Sequence, residues 1–292
     1  MIAYVFPGQG SQKKGMGKDL FDSHAELIDR ADEILGYSTK TLCLDDPDNQ
    51  LGLTQFTQPA LFVVNALMWL DEKKECEQMP NFFAGHSLGE YNALFAAEVF
   101  DFETGLKLVQ KRGQLMAQAK SGGMAALIGF DEDQVQKVLQ DNQLDNIFLA
   151  NYNSPAQIVI SGLQSEIDSA EPLFKDAGLK LFVKLNVSGA FHTKFMNDAA
   201  KTFAEFMDEF SFNDASIPVI SNVTGLPHEN GKIKEGLYKQ IISPVMWTNS
   251  ICYLMGQSVE TFKEIGPGNV LKGLIKKIKK DAAPIYPDDL HK

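Results

Sequence analysis

The stretch FFAGHSLGEYNALF at residues 82–95 joins a short apolar run, Phe82 to Ala84, to a glycine-flanked turn and then to a segment with Tyr91, Leu94 and Phe95 on one helical face. Within it, Gly85-His86-Ser87-Leu88-Gly89 matches G-x-S-x-G, and a strand before it with a helix after it is the context a nucleophile elbow requires. The glycines are needed because so tight a turn leaves no room for a Cβ beside the serine. This geometry lifts the Ser87 hydroxyl clear of the sheet, at the positive end of the following helix, where the Leu88 backbone N–H can face a developing oxyanion.

A second apolar run, Ile2 to Phe6, ends in the same way at Pro7 and two glycines, and a helical pattern such as Pro59 to Leu70 supplies a crossover between the two. Strand, turn and helix repeated in this order predict an α/β, α/β-hydrolase-like domain built on a short parallel sheet. The rhythm then changes. Gly123 to Gly129 reads as a strand, Asp131 to Asp141 as a helix, Asn146 to Asn151 and Gln157 to Gly162 as strands, Ser165 to Ala177 as a helix, and Lys180 to Val187 as a strand. That β-α-β-β-α-β order is the ferredoxin-like pattern. It predicts an inserted small subdomain, 123–189, within a large domain made of 1–122 and 190–292. Helical segments resume at Thr193 to Phe210, with Phe195, Ala199, Phe203, Phe206 and Phe210 on one stripe. A strand follows at Ile217 to Ser221, then a helix from about Trp247, a strand around Phe262 to Ile265, and a basic helix from Asn269 to Lys280.

The 292 residues carry 44% hydrophobic and 22% charged side chains, which excludes a disordered or fibrous chain, and the formal net charge of −11 opposes nucleic-acid and anionic membrane partners. Three dispersed cysteines, Cys43, Cys76 and Cys252, have neither metal-ligand spacing nor an even count for a disulfide framework. With no apolar window long enough to span a bilayer and no leader-like N-terminus, the expectation is an unprocessed cytoplasmic protein with no metal.

Ser87 requires a base, and the choice is among five histidines. His86 is held beside the nucleophile and points elsewhere, His24 and His228 lie in polar segments, and His291 is in the tail. His192 follows a predicted strand through Ser188-Gly189-Ala190-Phe191 and so occupies a strand-end loop, where open α/β sheets place reactive groups. Spacing places no carboxylate to orient it, so a dyad aligned by a backbone carbonyl and a triad both remain open. Arg112 sits on or beside the apolar stripe Leu106, Val109, Gly113 and Met116. A guanidinium there needs a fixed anionic partner, either an internal acid or a substrate carboxylate gripped bidentately. The loop Phe6-Pro7-Gly8-Gln9-Gly10-Ser11-Gln12 has neither the P-loop nor the dinucleotide pattern, but at a strand end it could offer the Gln9 N–H as a second oxyanion donor.

With these residues in hand the sequence closely resembles the malonyl-CoA:acyl carrier protein transacylase family up to about Lys280. FPGQGSQ at 6–12, TQPAL at 57–61, GHSLGE at 85–90, KRGQLM at 111–116, NSP at 153–155, GAFH at 189–192, SNV at 221–223 and GPGNVL at 266–271 occur in the family's order. The resemblance implies a ping-pong reaction without a cofactor, malonyl-CoA entering as substrate. Ser87 is the nucleophile, His192 the base, and the Gln9 and Leu88 amides the oxyanion hole; Arg112 pairs with the malonyl carboxylate, and Gln58, Met116 and Phe191 also meet the substrate. It further implies that a backbone carbonyl at Met246, where many members have Gln, orients the histidine. GAFH looks like the malonyl-type motif, a bulkier acyl unit usually going with a smaller residue at Phe191.

The stretches ADEILGY at 31–37 and FDFETGL at 100–106 look most like the free-standing, trans-acting acyltransferases of modular polyketide synthases. The implied partner is then an acyl carrier protein domain of such a synthase, met by a monomer. A housekeeping fatty-acid transacylase and a trans-acting acyl-thioester hydrolase remain as alternatives, though a hydrolase has no need of Arg112. Carrier proteins are usually acidic, so the global charge cannot steer them. Residues 269–280, however, carry five lysines and no acid. They are either a solvated face near a helix C-terminus or, through Lys272 and Lys276 together with Lys184, a contact for the carrier or the CoA phosphates.

Overall fold

The computed structural model describes residues 1–119, 121–187 and 189–286. Strand β1 (Ile2–Phe6) is followed by helices α1 (Ala25–Leu35), α2 (Thr39–Leu44) and α3 (Thr54–Glu75), then β2 (Phe82–Gly85), α4 (Gly89–Ala96) and α5 (Phe102–Ala117). The middle of the chain runs β3 (Gly122–Ile128), α6 (Glu132–Asp141), β4 (Phe148–Ser154), β5 (Gln157–Leu163), α7 (Gln164–Asp176) and β6 (Leu181–Lys184). A 3-10 turn at Lys194–Met196 leads to α8 (Asn197–Met207), β7 (Val219–Ile220), α9 (Ile233–Ile242), α10 (Trp247–Gly256), β8 (Thr261–Glu264) and α11 (Val270–Asp281).

Four strands form a parallel sheet in the order β7-β2-β1-β8. Side chains alternate across it: Tyr4, Phe6 and Phe83 enter a core shared with α3, α4, α5 and α8, while Ala3, Val5 and Ala84 enter a second core with Trp247, Ile251, Leu271 and Ile275. Because helices cover both faces of the central strands, β1 and β2 read as unbroken hydrophobic runs, whereas the edge strand β8 carries Thr261, Lys263 and Glu264. All four carboxyl ends lie at one edge, so the loops after β1, β2, β7 and β8 converge there.

The second sheet is antiparallel in the order β4-β5-β3-β6, the ferredoxin-like arrangement. Ala125, Leu127 and Ile160 pack under α6 and α7 with Ile167 and Phe174. On its opposite face Met124, Ala126, Ala150 and Val159 join the core of the parallel domain. The two crossings between the sheets touch: a Cβ on Gly122 would lie 2.0 Å from the Ala190 backbone N.

Several elements depart from the sequence reading for local reasons. Helix α3 begins at Thr54, five residues before Pro59, and the added turn sets Thr54 and Gln58 on one face toward the edge loops. Helix α4 stops at Ala96, after which Glu98 adopts φ +63° and Asp101 caps α5 by accepting from Thr104 N. The segment after Thr193 opens as a 3-10 turn, its hydroxyl capping Phe195 N. Helices α1, α2 and α9 were not anticipated. Among the described residues no helix is long and apolar enough to cross a membrane.

Gly89→Ala should destabilise the fold by about 3 kcal/mol, because its Cβ would meet Phe6 O at 2.0 Å. Gly273→Ala, in exposed helix α11 with nothing within 4 Å of the new Cβ, should instead stabilise it by up to about 1 kcal/mol. Denaturant unfolding of the two variants checks the opposite signs.

Candidate active site

The turn between β2 and α4 is as tight as its glycines suggest. A Cβ on Gly85 would lie 1.9 Å from the Gly89 carbonyl carbon. Ser87 sits at φ +50°, a left-handed conformation a serine holds only when its surroundings impose it. The imposing group is Asn222, in the loop after β7: its Oδ1 accepts from Ser87 N at 2.6 Å and its Nδ2 donates to Gly85 O at 2.6 Å.

The Ser87 hydroxyl lies 2.9 Å from His192 Nε2, and His192 Nδ1 lies 2.8 Å from the Gln240 carbonyl. A nitrogen facing a carbonyl must carry the proton, so Nε2 is left as the acceptor for the serine hydroxyl. Burial, followed by the nearby positive charge of Arg112, pushes the imidazole down to about 3 against the hydrogen bond that Nδ1–H donates to Gln240 O. The ring is therefore neutral near neutral pH.

The orienting carbonyl thus belongs to Gln240, and the assignment to Met246 is corrected. Met246 caps α10 and its carbonyl accepts from both Ser250 N and Ser250 Oγ, each at 2.9 Å. Gln240 lies in the last turn of α9, where helical carbonyls have lost their i+4 donors and are free to accept elsewhere.

Arg112, on α5, is 1% exposed. Its Nη1 donates to Gln58 Oε1 at 2.7 Å, and its Nη2 donates to Ser87 Oγ and to Gln240 Oε1, each at 3.0 Å. The Tyr91 ring lies 5.4 Å from its Cζ, and its Nε has no partner. Every acceptor is neutral. Among the described residues no carboxylate comes within ion-pair distance of this cation, so the internal salt bridge left open by the sequence is absent.

Ser87, His192 and Arg112 border a cavity of about 130 Å³ between the two sheets. Gln9 and Leu88 line it, and among the described residues neither backbone N–H donates to a protein acceptor. Gly8 lets the first loop approach the elbow, since a Cβ there would lie 2.3 Å from His86 O. Thr54 donates to Gln9 Oε1 at 2.8 Å, and Gln58 Nε2 lies 3.4 Å from Met116 Sδ. Phe191 walls one side and, from the small sheet, Met124, Asn151 and Asn153 wall another. A larger depression of about 240 Å³, between Thr224 and Lys239, lacks any such serine–histidine contact.

The other histidines are accounted for by burial rather than by chemistry. His86 Nε2 is 2.8 Å from Asn153 Oδ1, His24 pairs with Asp71 at 2.8 Å, and His228, read from the sequence as lying in a polar segment, is buried against Glu90. Ser188 and His291 lie outside the described residues. Lys184, expected as a contact for the carrier or the CoA phosphates, is paired locally with Asp168 at 2.6 Å and Glu171 at 3.1 Å on the surface. Lys272 and Lys276 are exposed. Three functional residues escaped sequence reasoning: Asn222, Glu90 and Gln240. For Gln240 a signal existed, since it falls inside the apolar stripe Ile233, Leu237 and Ile241 of α9 and is fully buried.

The elbow, the paired histidine and the cavity they border define a serine-nucleophile α/β enzyme of the acyl-transfer class. The chain belongs to the acyl transferase family, whose domain model matches residues 3–289. It is 57% identical over 283 residues to the polyketide biosynthesis malonyl CoA-acyl carrier protein transacylase PksC of Bacillus subtilis, covering 97% of this chain and 98% of that one. Among solved structures it is similar to the malonyl CoA-acyl carrier protein transacylase of Burkholderia pseudomallei, with a TM-score of 0.94, 49% identity, and 97% and 99% of the two chains covered. It also resembles the malonyl-transacylase solved with a type II PKS acyl-carrier protein, PlMCAT:AntF, at a TM-score of 0.91 and 34% identity over 97% of this chain and 94% of the other.

The depressed His192 value gives a direct expectation. An unfolded histidine takes up a proton near its ordinary value of about 6.5, whereas the native ring holds out to about 3. Acid in that window should therefore weaken the fold while leaving the native imidazole neutral. Ring-nitrogen NMR between about pH 8 and pH 5 should show no protonation of His192 in the folded enzyme.

Proposed function

We propose that this protein transfers a malonyl group from malonyl-CoA to the phosphopantetheine thiol of an acyl carrier protein through an acyl-enzyme on Ser87. The observation that carries the reading is Arg112, a buried cation beside the nucleophile whose partners are all neutral. A buried unpaired charge is expensive, and a carboxylate two carbons from a thioester carbonyl would supply the missing anion.

The reaction follows from the geometry. Ser87 Oγ gives its proton to His192 Nε2 as it attacks the thioester carbonyl, and Gln240 O steadies the imidazolium that forms. The oxyanion is received by the N–H groups of Gln9 and Leu88. Collapse breaks the C–S bond, and the proton on His192 leaves with the CoA thiol. The carrier thiol then enters, gives its proton to His192, attacks the Ser87 ester, and departs acylated as the serine recovers its proton. Gln58 holds Arg112 toward the carboxylate, while Phe191 and Met116 bound the space for the acyl chain. No cofactor is required.

The relatives named as polyketide malonyl transacylases support a role in trans for a polyketide synthase, and an unneutralised Arg112 speaks against simple thioester hydrolysis. The proposal takes residues 1–122 and 190–292 as the domain bearing the nucleophile and 123–189 as the subdomain that closes over it, in a cytoplasmic monomer without nucleic-acid partners. Lys272 and Lys276 are its carrier-facing cations. Lys272 lies in the first turn of α11, which follows β8 and so begins at the carboxyl edge shared with Ser87, and Lys276 lies one turn further along the same face.

Labelled malonyl-CoA incubated with and without holo carrier protein should place label on Ser87 and then on the carrier. Free malonate appearing faster than malonyl-carrier would instead establish a hydrolase. Ser87→Ala should show no malonyl adduct by intact mass. Arg112→Ala should lower malonyl loading about a hundredfold while sparing acetyl loading; parallel losses would make Arg112 structural. Lys272→Glu combined with Lys276→Glu should raise the KM for carrier several-fold at low salt and leave malonyl-CoA loading unchanged.

A further inference from the structure

Behind the nucleophile lies a polar chain that the reaction itself does not use. Glu90, the residue after the elbow glycine, is 0% exposed. Its Oε2 accepts from Gln240 Nε2 at 2.6 Å and from Asn222 N at 3.2 Å, and its Oε1 meets His228 Nε2. Gln240 Nε2 also donates to Ser87 O at 2.9 Å, while Gln240 Oε1 accepts from Arg112. The amide therefore has one allowed orientation, with nitrogen toward Glu90 and oxygen toward the guanidinium. Reversal would point N–H groups at a cation and an oxygen at a carboxylate.

His228 closes this chain at its far end. Its backbone is fixed by the link from His228 N to Val219 O and its side chain is 4% exposed, against α9 at Gly236, where a Cβ would lie 2.7 Å from the ring. A side chain enclosed this far from the reacting atoms, and bonded to a fully buried carboxylate, acts on the site through Glu90, which passes its hold to the Gln240 amide and to the Asn222 N–H.

We propose that His228 is a positioning residue for carboxylate capture: by holding Glu90 it fixes the Gln240 amide, and through it the Arg112 guanidinium, so that it sets the preference for dicarboxylic over monocarboxylic acyl thioesters. The proposal rests on the malonyl-transfer reading above. Without His228, Glu90 Oε1 loses its partner, the Gln240 amide loses its fixed orientation, and Arg112 loses the acceptor that aims Nη2 into the cavity. Monocarboxylic substrates present no carboxylate to Arg112, so they lose only what the chain lends to the serine turn, which Asn222 and the elbow backbone also hold.

The test measures loading of Ser87 from malonyl-CoA and from acetyl-CoA in the full-length enzyme, with a fluorophosphonate probe reporting elbow reactivity independently. His228→Ala should lower malonyl kcat/KM about tenfold, the effect of unpairing one buried polar group, with acetyl loading and probe labelling little changed. His228→Gln, which returns an N–H donor to Glu90, should recover most of the lost preference. Gly236→Ala, which displaces the ring without deleting it and suits a helix, should act in the same direction and decides the matter if His228→Ala does not fold. Equal losses with both thioesters, or an unchanged malonyl-to-acetyl ratio in folded His228→Ala or Gly236→Ala enzyme, would overturn the proposal. A wild-type enzyme with no preference for malonyl would instead overturn the reading beneath it.

Discussion

A guanidinium held out of water without a counter-charge is the constraint around which this molecule is arranged. Arg112 cannot shed its proton, so every group near it must present an oxygen or withdraw. Gln58 and Gln240 both turn their amide oxygens inward, Ser87 offers its hydroxyl, and Tyr91 offers the face of its ring. The same charge reaches the base, where it adds to burial in keeping His192 neutral. Nucleophile, base and acyl specificity therefore share one electrostatic origin. A bound carboxylate would relieve Arg112 and at the same time strengthen His192 as a proton acceptor.

The elbow supplies the complementary constraint, which is steric. β1 and β2 end side by side, and the backbone of α4 passes so close to both that Gly8, Gly85 and Gly89 each lie where a Cβ would collide with main chain. Crowding of this kind holds Ser87 in a left-handed conformation and leaves the Leu88 N–H free of an intrahelical partner at the start of α4. Asn222 ties the turn to β7. The reactive hydroxyl is thus positioned by backbone contacts across three parallel strands.

What the sequence disclosed follows from this division. Ser87 was legible because the elbow is local, with glycines, an apolar strand and the helical spacing of Tyr91, Leu94 and Phe95 all falling within 14 residues. Arg112 was legible because a charge on an apolar stripe is anomalous by itself. The β-α-β-β-α-β order of the middle segment disclosed the antiparallel sheet, whose strands β3 and β5 are buried almost throughout because one face packs under helices and the other on the large core. The partner of His192 was not legible. Choosing between the Gln240 and Met246 carbonyls depends on which helix end leaves its carbonyl free, and α9 had not been recognised, its ten residues carrying Lys234, Glu235 and Lys239 among the apolar positions. Glu90 and Asn222 were hidden for a related reason. Their partners lie more than 130 residues away, and nothing in local spacing marks a carboxylate or an amide as buried.

The abutting crossings at Gly122 and Ala190 have a mechanical consequence. An insert whose two ends touch behaves topologically as one long surface loop, so it can fold as a unit without stretching or threading the parallel domain. Beyond its ends it is held along a seam where Ala150 and Tyr152 exchange backbone hydrogen bonds with Val245. Met124, Asn151 and Asn153 belong to the insert, whereas Ser87, Arg112 and Gln240 belong to the parallel domain, so the width of the cavity is a distance between two bodies joined along that seam. Room for a different acyl chain could be gained by changing how the bodies meet, leaving the strained serine turn and its charge network unaltered.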